Sequence, residues 1–160
     1  MKKRMIPLFV IFAVVLLFAS FTAYSQNHLV GIDLPLDQMN NNLTLDAPPE
    51  LSVFERGKDL GLVLINNAKT PITLPADYGV HVYQSINNKW KPIENWMDFG
   101  NEEKIIFPIS EGPVIIAVLP DIEMDDQPVT VRVVVVGNYL LDNGVAGDEV
   151  GAYVDITLQP

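Results

Sequence analysis

Two acidic stretches and one cluster of aromatic residues are the parts of this sequence that could do chemistry. Asp121, Glu123, Asp125 and Asp126 fall within six residues of one another, just before Pro128. Clustered carboxylates suit calcium, a hard cation that takes six to eight oxygen ligands. The alternative reading is that acidic residues in turns keep a protein soluble. A second group, Asp142, Asn143, Asp148 and Glu149, lacks the Asp-x-Asp-x-Asp-Gly register of an EF-hand loop. Trp90, Trp96, Tyr78 and Tyr83 lie within twenty residues of one another. Exposed aromatic rings stack on sugar faces, so Trp90, Trp96 and Tyr83 are candidate ligand-binding residues. Large aromatics equally serve to close the end of a core.

The machinery of catalysis is missing from the sequence. There is no Cys, and the two His residues are His28 and His81. His81 alternates with Val80 and Val82 and has no partner base or nucleophile in its neighbourhood, so a surface histidine is the expectation. No Gly-x-Ser-x-Gly elbow, phosphate-binding Gly-rich loop or His-Glu-x-x-His helix occurs. Two isolated His without Cys do not make a tetrahedral zinc site. The sequence therefore reads as non-enzymatic and without a cofactor, with calcium as the one metal to consider.

The elements that must position these residues are strands. Beyond residue 50, short runs rich in Val, Ile and Leu recur between turn residues without helical spacing. Candidate strands cover 51–55, 60–66, 72–74, 80–84, 90–93, 104–109, 114–119, 129–137 and 151–158. Val129, Val131 and Val133 alternate with Thr130 and Arg132, and Ala152, Val154, Ile156 and Leu158 alternate with polar residues. Such alternation buries one face of a sheet. Val133 to Val136 are apolar on both faces, as in a central strand covered on each side. Seven to nine strands in this length make an antiparallel β-sandwich.

Leu119-Pro120-Asp121-Ile122, followed by Val129-Thr130-Val131-Arg132-Val133, resembles the E to F corner of bacterial extracellular immunoglobulin-like and fibronectin type III-like domains. Gly137 through Gly151 with the last alternating strand resembles their F to G hairpin. The resemblance implies an all-β, immunoglobulin-like sandwich working outside the cell by adhesion or recognition. The chain departs from the pattern in lacking the Cys pair and the Tyr at the start of the F-like strand. The stretch from Asn66 through Pro71 to Leu74 also resembles a hairpin of small bacterial proteinase-inhibitor-like sandwich domains.

The first residues speak to compartment. Lys2, Lys3 and Arg4 precede an uncharged apolar stretch, and Ala23 and Ser25 supply small side chains near its end. This is the plan of a secretory signal peptide, with cleavage expected between Ser25 and Gln26. Retention as an N-terminal membrane anchor is the alternative, since about 20 apolar residues suffice to span a bilayer. The expected organisation is a signal peptide over 1–25, a linker or leader over 26–50 with a possible edge strand, and the sandwich over 51–160. Short apolar pieces at Leu29 to Ile32 and Leu43 to Leu45 are the edge-strand candidates. Formal charge is −10, and it falls to −13 once the three basic residues at the N-terminus are gone. An acidic body of this kind repels phosphate backbones and anionic membranes, which argues against nucleic acid as a partner.

The function expected from sequence is a non-catalytic, secreted or extracytoplasmic domain for adhesion or recognition of a protein or polysaccharide. The alternative is a carbohydrate-binding accessory module using Trp90 and Trp96. A third reading is proteinase inhibition through the loops at 66–71 or 138–150.

Overall fold

A computed structural model of the chain describes residues 27–47, 54–55, 60–94, 100–116, 122 and 127–159. The stretch expected as a signal peptide, with its expected cleavage point, lies outside these residues. Among the described residues no helix is long and apolar enough to cross a membrane. The chain divides into two compact units, residues 1–37 and 38–160. In the described part of the first, residues 29–32 form a turn in which the Ile32 N–H donates to the Leu29 carbonyl at 3.2 Å, so this apolar piece is not a strand.

The second unit is an all-β sandwich. Its described strands are β1 (Leu43–Asp46), β2 (Phe54–Glu55), β3 (Leu60–Asn66), β4 (Ile72–Leu74), β5 (Val80–Ile86), β6 (Lys89–Ile93), β7 (Lys104–Ile106), β8 (Ser110–Ile116), β9 (Val129–Leu140) and β10 (Ala146–Gln159). A small sheet has the order β1-β3-β8 and is antiparallel throughout. The large sheet is built on the β9–β10 hairpin. The long edge of β9 is shared, with β5 paired along 131–135 and β4 at 138–139, while β6 extends β5 and β7 extends β4. Among the described strands only β2 runs parallel to its neighbour, at the end of β10.

Among the described residues there are ten strands, where seven to nine were expected. The extra one is β1, in the Asn-rich stretch that the sequence left as a linker with an optional edge strand. Leu43 and Leu45 face the core at 0% and 4% exposure, and this burial stabilises a strand in spite of its neighbouring breakers. Alternation does what it should elsewhere. Val131, Val133 and Val135 of β9 meet Ile156, Val154 and Ala152 of β10 in register; five of these belong to one core with Leu62 and Leu64 of β3, and the partly buried Val154 packs against it. Val134, on the opposite face of β9, is also 0% exposed, so the strand is enclosed on both sides at its centre.

Two local devices close the large sheet. At the turn entering β5, Gly79 has φ +59° and a Cβ there would collide with the Val136 carbonyl, which explains why glycine is required. At the free edge of β10, the Asn40 N–H donates to the Gly151 carbonyl at 3.0 Å and the Tyr153 N–H donates to Asn40 Oδ1 at 2.8 Å. One asparagine thus satisfies two edge groups that would otherwise invite strand pairing.

Candidate functional site

The turns at one end of the sandwich hold five of the exposed large apolar side chains among the described residues. The β9–β10 hairpin turns through Asp142-Asn143-Gly144, with the Gly144 N–H donating to Leu141 O at 2.8 Å and the Leu141 N–H donating to Val145 O at 3.0 Å. Gly144 takes φ +77°, and Asn143 Oδ1 accepts the Val145 N–H at 3.0 Å. This is a type I turn closed by a glycine in the left-handed region. A register shift between Ala146 and Glu149 follows. The stretch 138–150, expected as a loop, is therefore mostly strand, and its free turn is only 141–145.

Beside it, β4 begins at Ile72, and the Leu140 N–H donates to Pro71 O at 2.8 Å. Across β4 lies β7, where Ile106 pairs with Ile72 and Ile105 with Thr73. Ile106 turns inward, and the alternation sends Ile105 and Phe107 to the outer face. Pro108 then stops the run, and Ile109 adopts φ +54°. A β-branched residue in this region is strained.

A buried asparagine ties these turns together. Asn66, at 0% exposure, closes β3. Its Nδ2 donates to Thr70 O and to Ile106 O, each at 3.0 Å, and its Oδ1 accepts the Ala68 N–H at 2.9 Å. Its backbone carbonyl accepts the Ile109 N–H at 2.9 Å. Ser110 Oγ adds a bond to Phe107 O. The 66–71 and 106–110 turns are thereby held in one geometry by four bonds from a single residue. Ile105, Phe107 and Ile109 stand on or beside this frame and Leu141 and Val145 on the neighbouring hairpin turn, at 47%, 63%, 88%, 44% and 55% exposure. Phe107 and Leu140 flank Pro71 on adjacent strands, so the two halves of the patch sit roughly 10 Å apart at strand spacing. Clustered apolar exposure on a fixed frame is what a docking surface requires.

Two of the three aromatic candidates, Trp90 and Tyr83, lie among the described residues. Trp90 of β6 lies 4.2 Å from the Arg132 guanidinium carbon, and Tyr153 of β10 lies 4.4 Å from the same carbon. Arg132 Nε and Nη2 donate to Asp155 Oδ1 and Oδ2 at 2.7 and 2.8 Å. One guanidinium is stacked by two rings and gripped in bidentate fashion by a carboxylate. This arrangement fixes the outer face across β6, β9 and β10, and it engages a face of Trp90. Tyr83 is 1% exposed, and burial pushes its phenol up to about 12, so its ring offers no face to a solute. Trp96 lies outside the described residues.

The calcium candidates Asp121, Glu123, Asp125 and Asp126 also lie outside the described residues. Among the described residues no group of three or more His, Asp or Glu side chains is placed to hold a metal. For Asp142, Asn143, Asp148 and Glu149 the reason is the tight hairpin, which turns Asn143 onto its own backbone. His81 sits on the outer face of β5 opposite Val134, half-buried rather than on the surface. Desolvation lowers its pKa from 6.5, and the Asp77 charge partly opposes this. An open groove of about 430 Å³ runs past Asp46, Ala47 and β10 residues 154–157 and 159. Its acidic wall includes Asp155, already committed to Arg132.

No family model matches the chain, and no curated protein matches it. Among solved structures it is similar to the archaellum periplasmic stator protein FlaG from Sulfolobus acidocaldarius, at 18% identity and a TM-score of 0.36, covering 70% of this chain and 97% of that one. It is also similar to the archaellum periplasmic stator complex of FlaF and FlaG from the same organism, at 19% identity and a TM-score of 0.37, covering 79% of this chain and 100% of that one. Likeness at this distance carries no argument about function.

Proposed function

We propose that this chain is an exported, non-catalytic recognition domain that docks a protein partner through the apolar end of its sandwich. The observation that supports it is the exposure of Phe107 and Ile109, at 63% and 88%, on turns anchored by the fully buried Asn66. Apolar side chains on a rigid frame lose little freedom on binding, so more of their burial appears as affinity. Export is read from the basic tip and apolar run before Ser25, and the absence of a catalytic constellation in the sequence supports a binding role. The proteinase-inhibitor reading uses this same end, since the 66–71 turn and the 141–145 turn both belong to it.

Site-specific photocrosslinking in cells that produce the protein tests the proposal. A photoreactive phenylalanine analogue at Phe107 should give a discrete protein adduct, and the same analogue at exposed Thr157 should not. Equal adducts at both positions, or none at Phe107, would count against docking at this end. Slowed turnover of a protease by the purified protein, lost in Ile109→Asn, would turn the reading toward inhibition.

A further inference from the structure

The charges around the apolar end restrict what can sit on it. Within a few residues of the five exposed apolar side chains lie Glu102, Glu103, Glu111, Asp142, Asp148 and Glu149, all exposed. Against these six carboxylates stand Lys69 and Lys104. The segments that carry the patch are thus rich in exposed carboxylates, on a body that is itself acidic.

We infer, resting on the docking role proposed above, that the partner surface is apolar at its centre and rimmed by Lys or Arg. Three occupants compete for such an end, and electrostatics ranks them. A second copy would set six carboxylates against six more, and like charges across an interface oppose association. A bilayer with anionic lipids would repel the same carboxylates. A cationic protein surface alone gains from both features, since its rim charges steer encounter and its apolar centre receives Phe107 and Ile109 as anchors. The strain at Ile109 fits this assignment. The turn holds a large apolar side chain outward where glycine or asparagine would be easier to accommodate.

The test uses the protein purified from cells that export it and two short synthetic peptides, each labelled with a fluorophore. One alternates Phe and Leu with Lys, and the other carries Glu at every Lys position. Anisotropy should show the Lys peptide binding at least about tenfold more tightly than the Glu peptide, a gap that shrinks in ~1 M salt, where the Debye length is about 3 Å. The double variant Phe107→Ser with Ile109→Asn, which leaves every charge in place, should lose about tenfold for the Lys peptide. Retained binding in that variant would overturn the site, because attraction would then come from the net charge of the whole body. Equal binding of the two peptides, abolished in the variant, would overturn the charge assignment while leaving the docking role standing. Binding to phosphatidylcholine vesicles, or dimerisation by sedimentation, that disappears in the same variant would assign the end to lipid or to a second copy instead.

Discussion

Replacing Asn66 by Asp changes one atom in the frame of the apolar end and has a consequence that depends on pH. The native side chain donates two bonds, to Thr70 O and Ile106 O, and accepts one from the Ala68 N–H. Aspartate keeps the acceptor and loses both donors. Ionised, it would be a buried anion facing two carbonyl oxygens, so the folded state should raise its pKa far above the ordinary 3.9 of Asp. Protonated, it regains one O–H donor and leaves one carbonyl unpaired, at a cost of about 1–3 kcal/mol. At pH 7 the cost of holding the proton adds to this, about 4 kcal/mol for a shift of ~3 units. The folded state then binds a proton that the unfolded chain does not, so stability falls as pH rises from about 4 towards the raised value. Denaturant unfolding of Asn66→Asp should show a loss of roughly 5–7 kcal/mol at pH 7 and only about 1–3 near pH 4, relative to the parent at each pH. Asn66→Ala should lose stability without that pH dependence. A loss under about 1 kcal/mol for Asn66→Asp, or the same loss at both pH values, would refute the placement of those donors.

Arg132→Lys keeps the charge but removes the flat surface stacked between Trp90 and Tyr153 and the fork on Asp155, and should cost about 1–2 kcal/mol. A double-mutant cycle with Trp90→Ala should return a coupling of about 0.5–2 kcal/mol, whereas additivity would mean that the stacking contributes nothing. His81 has a lowered pKa, so the unfolded chain takes up a proton more readily than the native state as pH falls through 6.5. Its contribution is complete above that value and lost below it, and His81→Gln should flatten the stability profile between about pH 5 and 7. Ile109→Gly should raise the melting temperature slightly, by relief of up to about 1 kcal/mol of backbone strain, while weakening docking. A lowered melting temperature would mean that the exposed side chain supports the fold after all.

Much of the sandwich was legible because its signal is local. The alternations in β9 and β10 and the doubly apolar run at Val133 to Val136 place their own faces without knowledge of any neighbour. The apolar end was hidden by the same rule. Residues 104–109 read as one strand, but β7 stops at Ile106, and Pro108, a residue that rarely sits inside a strand, was the available warning. Trp90 could be singled out but not understood, because Arg132 and Tyr153 reach it from strands far along the chain. Asn66 could be placed at a hairpin but its role as a tie could not be read, since the farther carbonyl its side chain holds lies forty residues away. Long-range register, absent from any window of sequence, decides such roles.

The Asn40 clamp on β10 joins residues 113 positions apart. It also sets a clock on assembly. The last strand lies beside β9 within the large sheet and supplies Val150, Ala152, Ile156 and Leu158 to the core, so no earlier part of the chain can complete that core by itself. Pairings of such long span fold slowly, because the loop between them must close before any contact rewards it. A chain in which this strand is not yet available therefore cannot close the core.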